Sequence, residues 1–198
     1  GDEILSGRTL DSNIGDIARF LAARGIDLRE VRIVADDEPA IVTAVNALRA
    51  SHTYVFTTGG IGPTHDDITA AAIAQAFGVA LDLDPRAVAL LQQHYGPARI
   101  TDARLRMARI PRGAELIPNS ISAAPGFRIG NVHVLAGVPP IMRVMLDAVG
   151  PTLTGGSVVL TRSVSASYGE SVLAAGLTDI QALFPDVAIG SYPQMGPT

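Results

Sequence analysis

The sequence has no cysteine, no tryptophan and no lysine. The absence of cysteine excludes disulfides and thiolate metal sites, and it is compatible with a reducing compartment. Aromatic residues make up only 5% of the chain, so a platform of rings that stack on nucleic-acid bases is not expected. All 15 basic residues are arginines, and the net charge is −4. Because nucleic-acid binders usually carry a clustered basic face, we predict no nucleic-acid partner.

Long apolar runs are missing as well. No stretch approaches the ~20 apolar residues that cross a bilayer, and no signal-peptide pattern is present. We therefore predict no membrane partner and a cytoplasmic location. Hydrophobic residues make up 47% of the 198 residues and charged residues 17%, which allows a sizeable core. This length fits one large α/β domain, alone or with a small appendage.

Hydrophobic periodicity and turn residues predict alternating strands and helices over most of the chain. Such alternation with short loops predicts a mostly parallel sheet covered by helices. Ser12 or Asn13 is the expected N-cap of the first long helix. The predicted helices cover residues 12–25, 38–51, 84–95, 101–111 and 139–150, and one more helix ends before Gly78. The predicted strands cover residues 30–36, 53–58, 114–120 and 131–137.

The character of the chain changes near residues 153–156. We predict a main domain over residues 1–152 and a small α+β subdomain over residues 153–198, with a strand at 157–166, a helix at 169–184 and a strand at 186–193. At the other end, the chain opens on GDEILSG with no strand before it. Because an α/β unit normally reaches such a loop from a buried strand, a strand ahead of Gly1 is expected.

The stretch TTGGIGPTHDDIT (residues 57–69) joins a predicted strand to a predicted helix. Glycines at 59, 60 and 62 allow positive φ and let a ligand approach the backbone. The free N–H groups and the dipole of a helix N-terminus attract anions. The stretch is neither the dinucleotide fingerprint nor the P-loop. A plain turn capped by Asp66 or Asp67 is the alternative, but three glycines, a proline and two acids exceed what a cap requires.

Several blocks of the sequence, in order, resemble one family. Thr58-Gly59-Gly60-Ile61-Gly62 followed by Asp66-Asp67-Ile68-Thr69 resembles the signature of the molybdopterin-binding (MoaB/Mog-like) domain. The blocks GDEILSGRTLDSN, GIDLREVRIVADDEPAI, PGF and LAGVPPIMRVML are similar to the competence/damage-inducible protein A (CinA-like) branch of that superfamily. In the last 46 residues, ESVLAAGLTDI and VAIGSYP resemble the small second subdomain of the same branch.

The resemblance implies a three-layer α/β/α domain that binds a pterin or nucleotide phosphate at the carboxyl ends of its strands. It implies catalytic roles for Asp67 and for Asp36 or Asp37. Two of these carboxylates, Asp67 and Asp37, lie at predicted strand ends and would hold a divalent metal, Mg²⁺ or Co²⁺. The alternative is that Asp37 only caps the helix that follows it. The further residues expected to contact the phosphorylated ligand are Gly1, Asp2, Glu3, Ser6, Thr58, Gly59, Gly60, Gly62, Thr69, Arg106 and Gly137.

Two segments depart from the family pattern. Relatives commonly carry a polar Asn-Arg-Lys-Gln run before a proline, where this chain reads ARLRMARIP, with Arg106 and Met107. The loop that usually reads Gly-Thr-Ala-Pro-Gly-Phe is here Ser122-Ala123-Ala124-Pro125-Gly126-Phe127. Both segments contact ligand in catalytic relatives, so the departures bear on hydrolysis.

Three functions follow from this resemblance. The first is metal-dependent hydrolysis of a nucleotide diphosphate such as ADP-ribose. The second is molybdopterin adenylyl transfer, which the extra subdomain disfavours. The third is binding of molybdopterin or a nucleotide without turnover, which the departures favour. In all three, the partner is a small phosphorylated molecule, and a homo-oligomer (dimer or trimer) is expected.

Overall fold

Two units make up the chain, which the computed structural model describes over residues 1–193: Gly1–Val159 and a second unit that begins at Leu160. The helices of the first unit are α1 (Asp2–Leu5), α2 (Asn13–Ala22), α3 (Glu38–Ser51), α4 (Thr69–Phe77), α5 (Pro85–Tyr95), α6 (Asp102–Arg106) and α7 (Pro139–Val149). Its strands are β1 (Val55–Thr58), β2 (Leu81–Leu83), β3 (Arg109–Pro111), β4 (Glu115–Ile117), β5 (Gly126–Ile129) and β6 (Val132–Leu135).

Capping residues explain where the main helices begin. The side chain of Asp37 accepts a hydrogen bond from the N–H of Ala40 at the start of α3, and Asp84 caps α5 in the same way. A proline in the first turn of each helix supplies a favourable φ. For α2 the N-cap residue is Ser12, one of the two predicted, but its side chain makes no capping bond. The carboxylate of Asp11 instead accepts a hydrogen bond from the N–H of Ile14 at 2.7 Å.

The main sheet has the order β1-β6-β5-β4. β1 and β6 are parallel, whereas β5 pairs antiparallel with both β6 and β4. The α/β class is confirmed, but the sheet is mixed rather than mostly parallel. The reason is a hairpin that the sequence reading took as a loop: Gly130, with φ +56°, and Asn131 join β5 directly to β6.

Helices cover both faces of this sheet. On one face, Ile41 and Val45 of α3 pack with Ile73 of α4 and with Val55 of β1 in one hydrophobic cluster. On the other face, α2 and α7 form a second cluster with β6 and β4; its buried members are Ile17, Leu21, Ile117, Leu135, Met142, Met145, Leu146 and Val149. Helix–sheet–helix layering is therefore built by two apolar clusters that share the sheet.

Two predicted elements of the first unit are wrong. Residues 30–36 form no strand, because no neighbouring strand hydrogen-bonds to them within residues 1–193. The helix predicted over residues 101–111 ends at Arg106, and Arg109–Pro111 is strand β3, paired with β2. The side chain of Ile110 is buried in the core there. Burial of that face outweighs the helical periodicity.

In the second unit, the predicted helix is confirmed as α8 (Glu170–Leu183). The two predicted strands, at 157–166 and 186–193, are not formed, because up to residue 193 they have no partner strand. The predicted boundary at residues 152 and 153 falls inside the first unit, where the N–H of Thr154 donates to the hydroxyl of Tyr54. No helix between residues 1 and 193 is both long and apolar enough to cross a membrane.

Candidate functional site

The glycine loop, residues 59–67, leaves the carboxyl end of β1 and leads to α4. Gly59 and Gly60 have φ of +95° and +67°. The N–H of Gly59 donates to the carbonyl of Leu135, and the carbonyl of Gly60 accepts from Thr69. Up to residue 193, no protein acceptor takes the N–H groups of residues 60, 61 and 62. Three backbone donors are thus available in a loop that runs to a helix N-terminus, where anions are stabilised.

Glycine is required at this loop for steric reasons. A Cβ on Gly60 would lie 2.1 Å from the hydroxyl oxygen of Thr69. A Cβ on Gly137, which follows β6, would lie 3.1 Å from the Cα of Gly59. The loops after the two parallel strands are therefore in backbone contact, as expected for a site at the carboxyl edge of a sheet. The side-chain amide of Asn13 donates to the carbonyl of Gly137 at 2.8 Å and fixes the start of α2 beside them.

The two adjacent aspartates have different roles. Asp67 accepts from the N–H and the hydroxyl of Thr64 through one oxygen, Oδ2, at 2.8 and 2.6 Å. Asp66 shares the single hydrogen of the same hydroxyl, and this contact is the main cause that lowers the pKa of Asp66. Neither aspartate caps α4, whose N-cap is Ile68 with no side-chain bond. Both stabilise the loop, and Asp67 lies directly against Gly62.

The first residues of the chain meet the loop before α3. The amino group of Gly1 donates to the carbonyl of Val34 at 2.8 Å. Asp2 and Asp36 exchange backbone-to-carboxylate bonds, of 2.9 and 3.3 Å. Asp37, in contrast, uses its carboxylate to cap α3.

A cleft of about 1280 Å³ opens at this edge of the sheet. It brings together most of the predicted site residues, from four separate segments: Gly1, Glu3, Asp36, Thr58, Gly59, Gly60, Gly62, Asp67, Thr69 and Gly137. Four predicted residues, Asp2, Ser6, Asp37 and Arg106, do not border it. The hydroxyl of Ser6 instead accepts from Arg8 and donates to the carbonyl of Glu3.

Arg106 lies in a smaller neighbouring pocket of about 320 Å³, which it shares with Gly62, His65 and Asp67. Met107 borders both this pocket and the main cleft. Arg106 and Asp67 thus line the same pocket. The apolar side chain of Met107 also lines this pocket.

Sequence reasoning missed Asn119, which builds the opposite wall. Only 7% of Asn119 is exposed, and its amide donates to the hydroxyl of Ser122 and the carbonyl of Ala124. Its carbonyl oxygen accepts from the N–H groups of Ile121 and Ser122. These bonds hold the loop that includes Ala123, a non-glycine residue with φ of +59°. Asparagine after a strand is a turn signal, and it was the one clue in the sequence.

The acidic side chains of the site determine how a divalent cation could bind here. Within residues 1–193, no three side chains of His, Asp or Glu lie together so as to hold a metal ion. Asp36 and Asp67 both border the cleft, and Asp37 is occupied as a helix cap. Mg²⁺ is often bound by one or two carboxylates together with the phosphates of a substrate. The described residues do not form a closed metal centre made by protein alone, so a cation here would need oxygen ligands from a bound phosphate.

Replacing Gly60 with alanine is expected to destabilise the protein and weaken ligand binding. Positive φ alone costs an alanine about 1–2 kcal/mol, and the contact with Thr69 adds overpacking of about 1–3 kcal/mol. Gly78→Ala is the matched control, because Gly78 has φ of +65° and nothing within 4 Å of its added Cβ. Urea unfolding of both variants measures the difference. Equal losses would show that the contact with Thr69 is relieved at no cost.

Comparison with known proteins identifies the family of this chain. The family described as "Probable molybdopterin binding domain" matches residues 1–155, and the family described as "FAD synthase, middle domain" matches residues 158–198. A crystal structure of the protein CinA, of unknown function, from Thermoplasma acidophilum is 36% identical, with a TM-score of 0.72. That match covers 77% of this chain and 92% of the other.

Relatives known from sequence cover more of the chain. A protein of Pyrococcus furiosus is 34% identical over 98% of this chain and 82% of its own length. A CinA-like protein of Desulfosudis oleivorans is 35% identical over 96% of this chain, which spans only 49% of that relative. The chain belongs to the molybdopterin-binding domain family and carries a CinA-type domain.

Proposed function

We propose that the chain binds a phosphorylated pterin or nucleotide at the glycine loop and, with a divalent cation, hydrolyses a nucleotide diphosphate such as ADP-ribose. The observation that carries the binding proposal is the set of free N–H groups at residues 60–62, next to the carboxylate of Asp67. Such donors stabilise the charge of a phosphate group and of the transition state for its transfer. A dimer or trimer stays a prediction.

The proposed chemistry assigns one task to each group. The N–H groups of residues 60–62 and the N-terminus of α4 hold the phosphate oxygens. Asp67 already accepts two bonds through Oδ2, so its other oxygen, Oδ1, is available to orient a water molecule and accept its proton. The water attacks phosphorus, the P–O bond of the diphosphate bridge breaks, and two phosphomonoesters leave. A bound Mg²⁺ or Co²⁺ would neutralise charge on the phosphates, with Asp36 as its protein ligand.

Binding without turnover is the second candidate. The observation that favours it is Met107, whose apolar side chain borders both the cleft and the pocket of Arg106. An apolar group there does not help to bind a leaving phosphate. In this candidate, the glycine loop keeps its ligand, molybdopterin or a nucleotide, and no bond is broken.

The test separates binding from hydrolysis. The purified protein is incubated with Mg²⁺ or Co²⁺ and with ADP-ribose, with FAD, or with ATP plus molybdopterin, and products are resolved by chromatography. AMP from ADP-ribose supports hydrolysis, and adenylylated pterin would support adenylyl transfer instead. Calorimetric binding without any product would overturn both enzymatic proposals and leave the binding protein. If the protein shows neither ligand binding nor product, the assignment of the glycine loop as a phosphate site is overturned.

A further inference from the structure

The main cleft has a second wall whose chemistry differs from that of the glycine loop. This wall, the α6 wall, consists of Tyr95, Arg104, Met107, Ser122 and Ala124, which all border the cleft. Three of these side chains, those of Tyr95, Met107 and Ala124, pack against one hydrophobic cluster of the core. The glycine loop presents backbone donors, whereas the α6 wall is mostly apolar.

One cation lies on the α6 wall. The guanidinium carbon of Arg104 is 4.0 Å from the centre of the Tyr95 ring, and both side chains are half-buried. Nη1 of Arg104 donates to the carbonyl of Arg99. Up to residue 193, no carboxylate forms an ion pair with Arg104, and its Nε and Nη2 have no protein acceptor. The ring and the carbonyl thus hold a flat cation in place at the cleft.

The position of this pair distinguishes it from the other stacked arginines. Arg24 lies on the ring of Phe20, and Arg49 lies on the ring of Phe77. None of these four residues borders the main cleft. Among the described residues, the pair on the α6 wall is the one arginine–aromatic pair that a ligand in the cleft can reach. Packing within the fold accounts for the other two pairs, and this pair is in addition a surface of the cleft.

The chemistry of the α6 wall favours a ring over a phosphate. Planar heteroaromatic rings stack on guanidinium planes and on aromatic side chains, and the electron-rich face of such a ring attracts a cation. A phosphate would gain from the charge of Arg104, but it would lose hydration against Met107 and Ala124, which offer no side-chain donor. A neutral planar ring fits both the cation and its apolar neighbours.

A hydroxyl donor is available on the same wall. Oγ of Ser122 accepts a hydrogen bond from Nδ2 of Asn119 at 2.7 Å, and its own hydrogen has no protein acceptor up to residue 193. Nδ2 of Asn119 also donates to the carbonyl of Ala124 at 2.9 Å. One buried amide therefore positions both the hydroxyl and the apolar residue that follows it. The ring nitrogens of purines and pteridines are acceptors for such a hydrogen.

We propose that the α6 wall binds the planar heteroaromatic ring of the ligand, stacked on Arg104 and hydrogen-bonded by Ser122, while the glycine loop binds its phosphate. This assignment rests on the function proposed for the glycine loop and adds the class of ligand, a phosphate joined to a neutral purine or pteridine ring. Arg104 and Ser122 determine specificity for the ring, and Asn119 is a positioning residue. Met107 is an apolar neighbour of the ring.

Calorimetric titrations with three probes test the ring site: AMP, a phosphate ester of hydroxymethylpterin, and ribose 5-phosphate. Ribose 5-phosphate has the sugar and the phosphate of AMP and lacks its ring. We expect the parent protein to bind one ring-bearing probe about tenfold or more tightly than ribose 5-phosphate. The tighter of the two ring-bearing probes identifies the ring. Arg104→Gln is expected to weaken binding of that probe about tenfold and to change binding of ribose 5-phosphate less than about twofold.

Arg49→Gln is the matched control. It removes the same charge from a half-buried arginine that lies 4.1 Å from the centre of an aromatic ring, that of Phe77, away from the cleft. We expect it to leave the affinity for all three probes unchanged. Ser122→Ala is expected to weaken binding of the ring-bearing probe about threefold, the effect of one neutral hydrogen bond. Circular dichroism establishes that each variant is folded.

The outcomes separate this assignment from the function on which it rests. Equal affinity of the parent for ring-bearing and ringless probes would overturn the ring site and leave the glycine loop as a phosphate site. Equal losses for both kinds of probe in Arg104→Gln would assign Arg104 to the phosphate and overturn the stacking. Binding of no probe would overturn the proposed function as well.

A measurement on the parent protein decides the matter if Arg104→Gln does not fold. In saturation-transfer NMR with the tighter ring-bearing probe, we expect stronger saturation of the ring protons than of the protons between ring and phosphate. Weaker saturation of the ring protons would mean that the ring points into solvent, and it would overturn the ring site.

Discussion

Replacing Asp67 with asparagine is expected to lower the rate of ADP-ribose hydrolysis by about 100-fold or more. Asparagine has the shape of aspartate, and its oxygen can still accept from the N–H and hydroxyl of Thr64. What is lost is the negative charge and the ability to accept a proton. Initial rates of AMP formation at saturating substrate measure the effect, which should appear in kcat rather than in KM.

Asp66→Asn is the matched control. Asp66 neighbours Asp67 and bonds the same hydroxyl of Thr64, but it was assigned no chemical step. We expect its variant to keep more than a third of the activity. Equal losses in the two variants would show that the pair acts only by shaping the loop. Full activity of Asp67→Asn would remove Asp67 from the mechanism while leaving the glycine loop as a binding site.

Mild acid is expected to destabilise the first unit through His133. This side chain lies on β6, is 1% exposed, and stacks on Phe56 with ring centroids 5.0 Å apart. Neither ring nitrogen has a hydrogen-bond partner among the described residues. Burial, helped by the nearby charge of Arg128, lowers the pKa of His133 to about 4 from its ordinary 6.5. The folded state therefore holds this imidazole neutral.

The direction of this pH effect follows from the number of protons that the folded and unfolded chains bind. Between pH 6.5 and about 4, the unfolded chain binds a proton at His133 that the folded chain does not. The free energy of unfolding is therefore greatest above pH 6.5 and falls as the pH is lowered to about 4. At ~1.4 kcal/mol per pKa unit, the loss is about 3 kcal/mol. Urea unfolding across this pH range measures it.

His133→Phe removes the titration and the two unpartnered nitrogens while keeping a stacked ring. Its stability is expected to equal or exceed that of the parent at pH 7 and to lose the dependence attributed to this histidine. His94→Gln is the control, since His94 is exposed on α5 and should leave the pH dependence unchanged. The same slope in His133→Phe as in the parent would place the acid sensitivity elsewhere.

The predictable parts of the fold are those with local signals. α3, α5 and α7 each have an extended N-cap residue and a proline in the first turn, and sequence alone places them well. β5 was missed because the Pro-Gly pair before it is typical of a loop, whereas its pairing with β6 depends on a hairpin. Residues 30–36 have the pattern of a strand, but a strand also needs a partner, and no local pattern supplies one.

Site residues, too, were predictable only where the sequence has a local signal. Glycines at 59, 60 and 62 could be identified from the sequence, since positive φ and close approach need that residue type. Asp37 was ambiguous, because one carboxylate before a proline serves equally as a cap or as a ligand, and the structure uses it as a cap. Asn119 was missed because it was placed inside the strand predicted over residues 114–120, whereas β4 ends at Ile117 and Asn119 makes its contacts in the loop that follows.

The parallel pairing of β1 with β6 has a kinetic consequence. Its partners, such as Val55 and Val132, are far apart in the chain, so their pairing carries a large loop-closure cost and is expected late in folding. Gly59 and Gly137 come together only through that pairing. During refolding, the helical circular dichroism signal should recover before the capacity to bind a phosphorylated ligand. The delay between the two signals measures how late this strand pair forms.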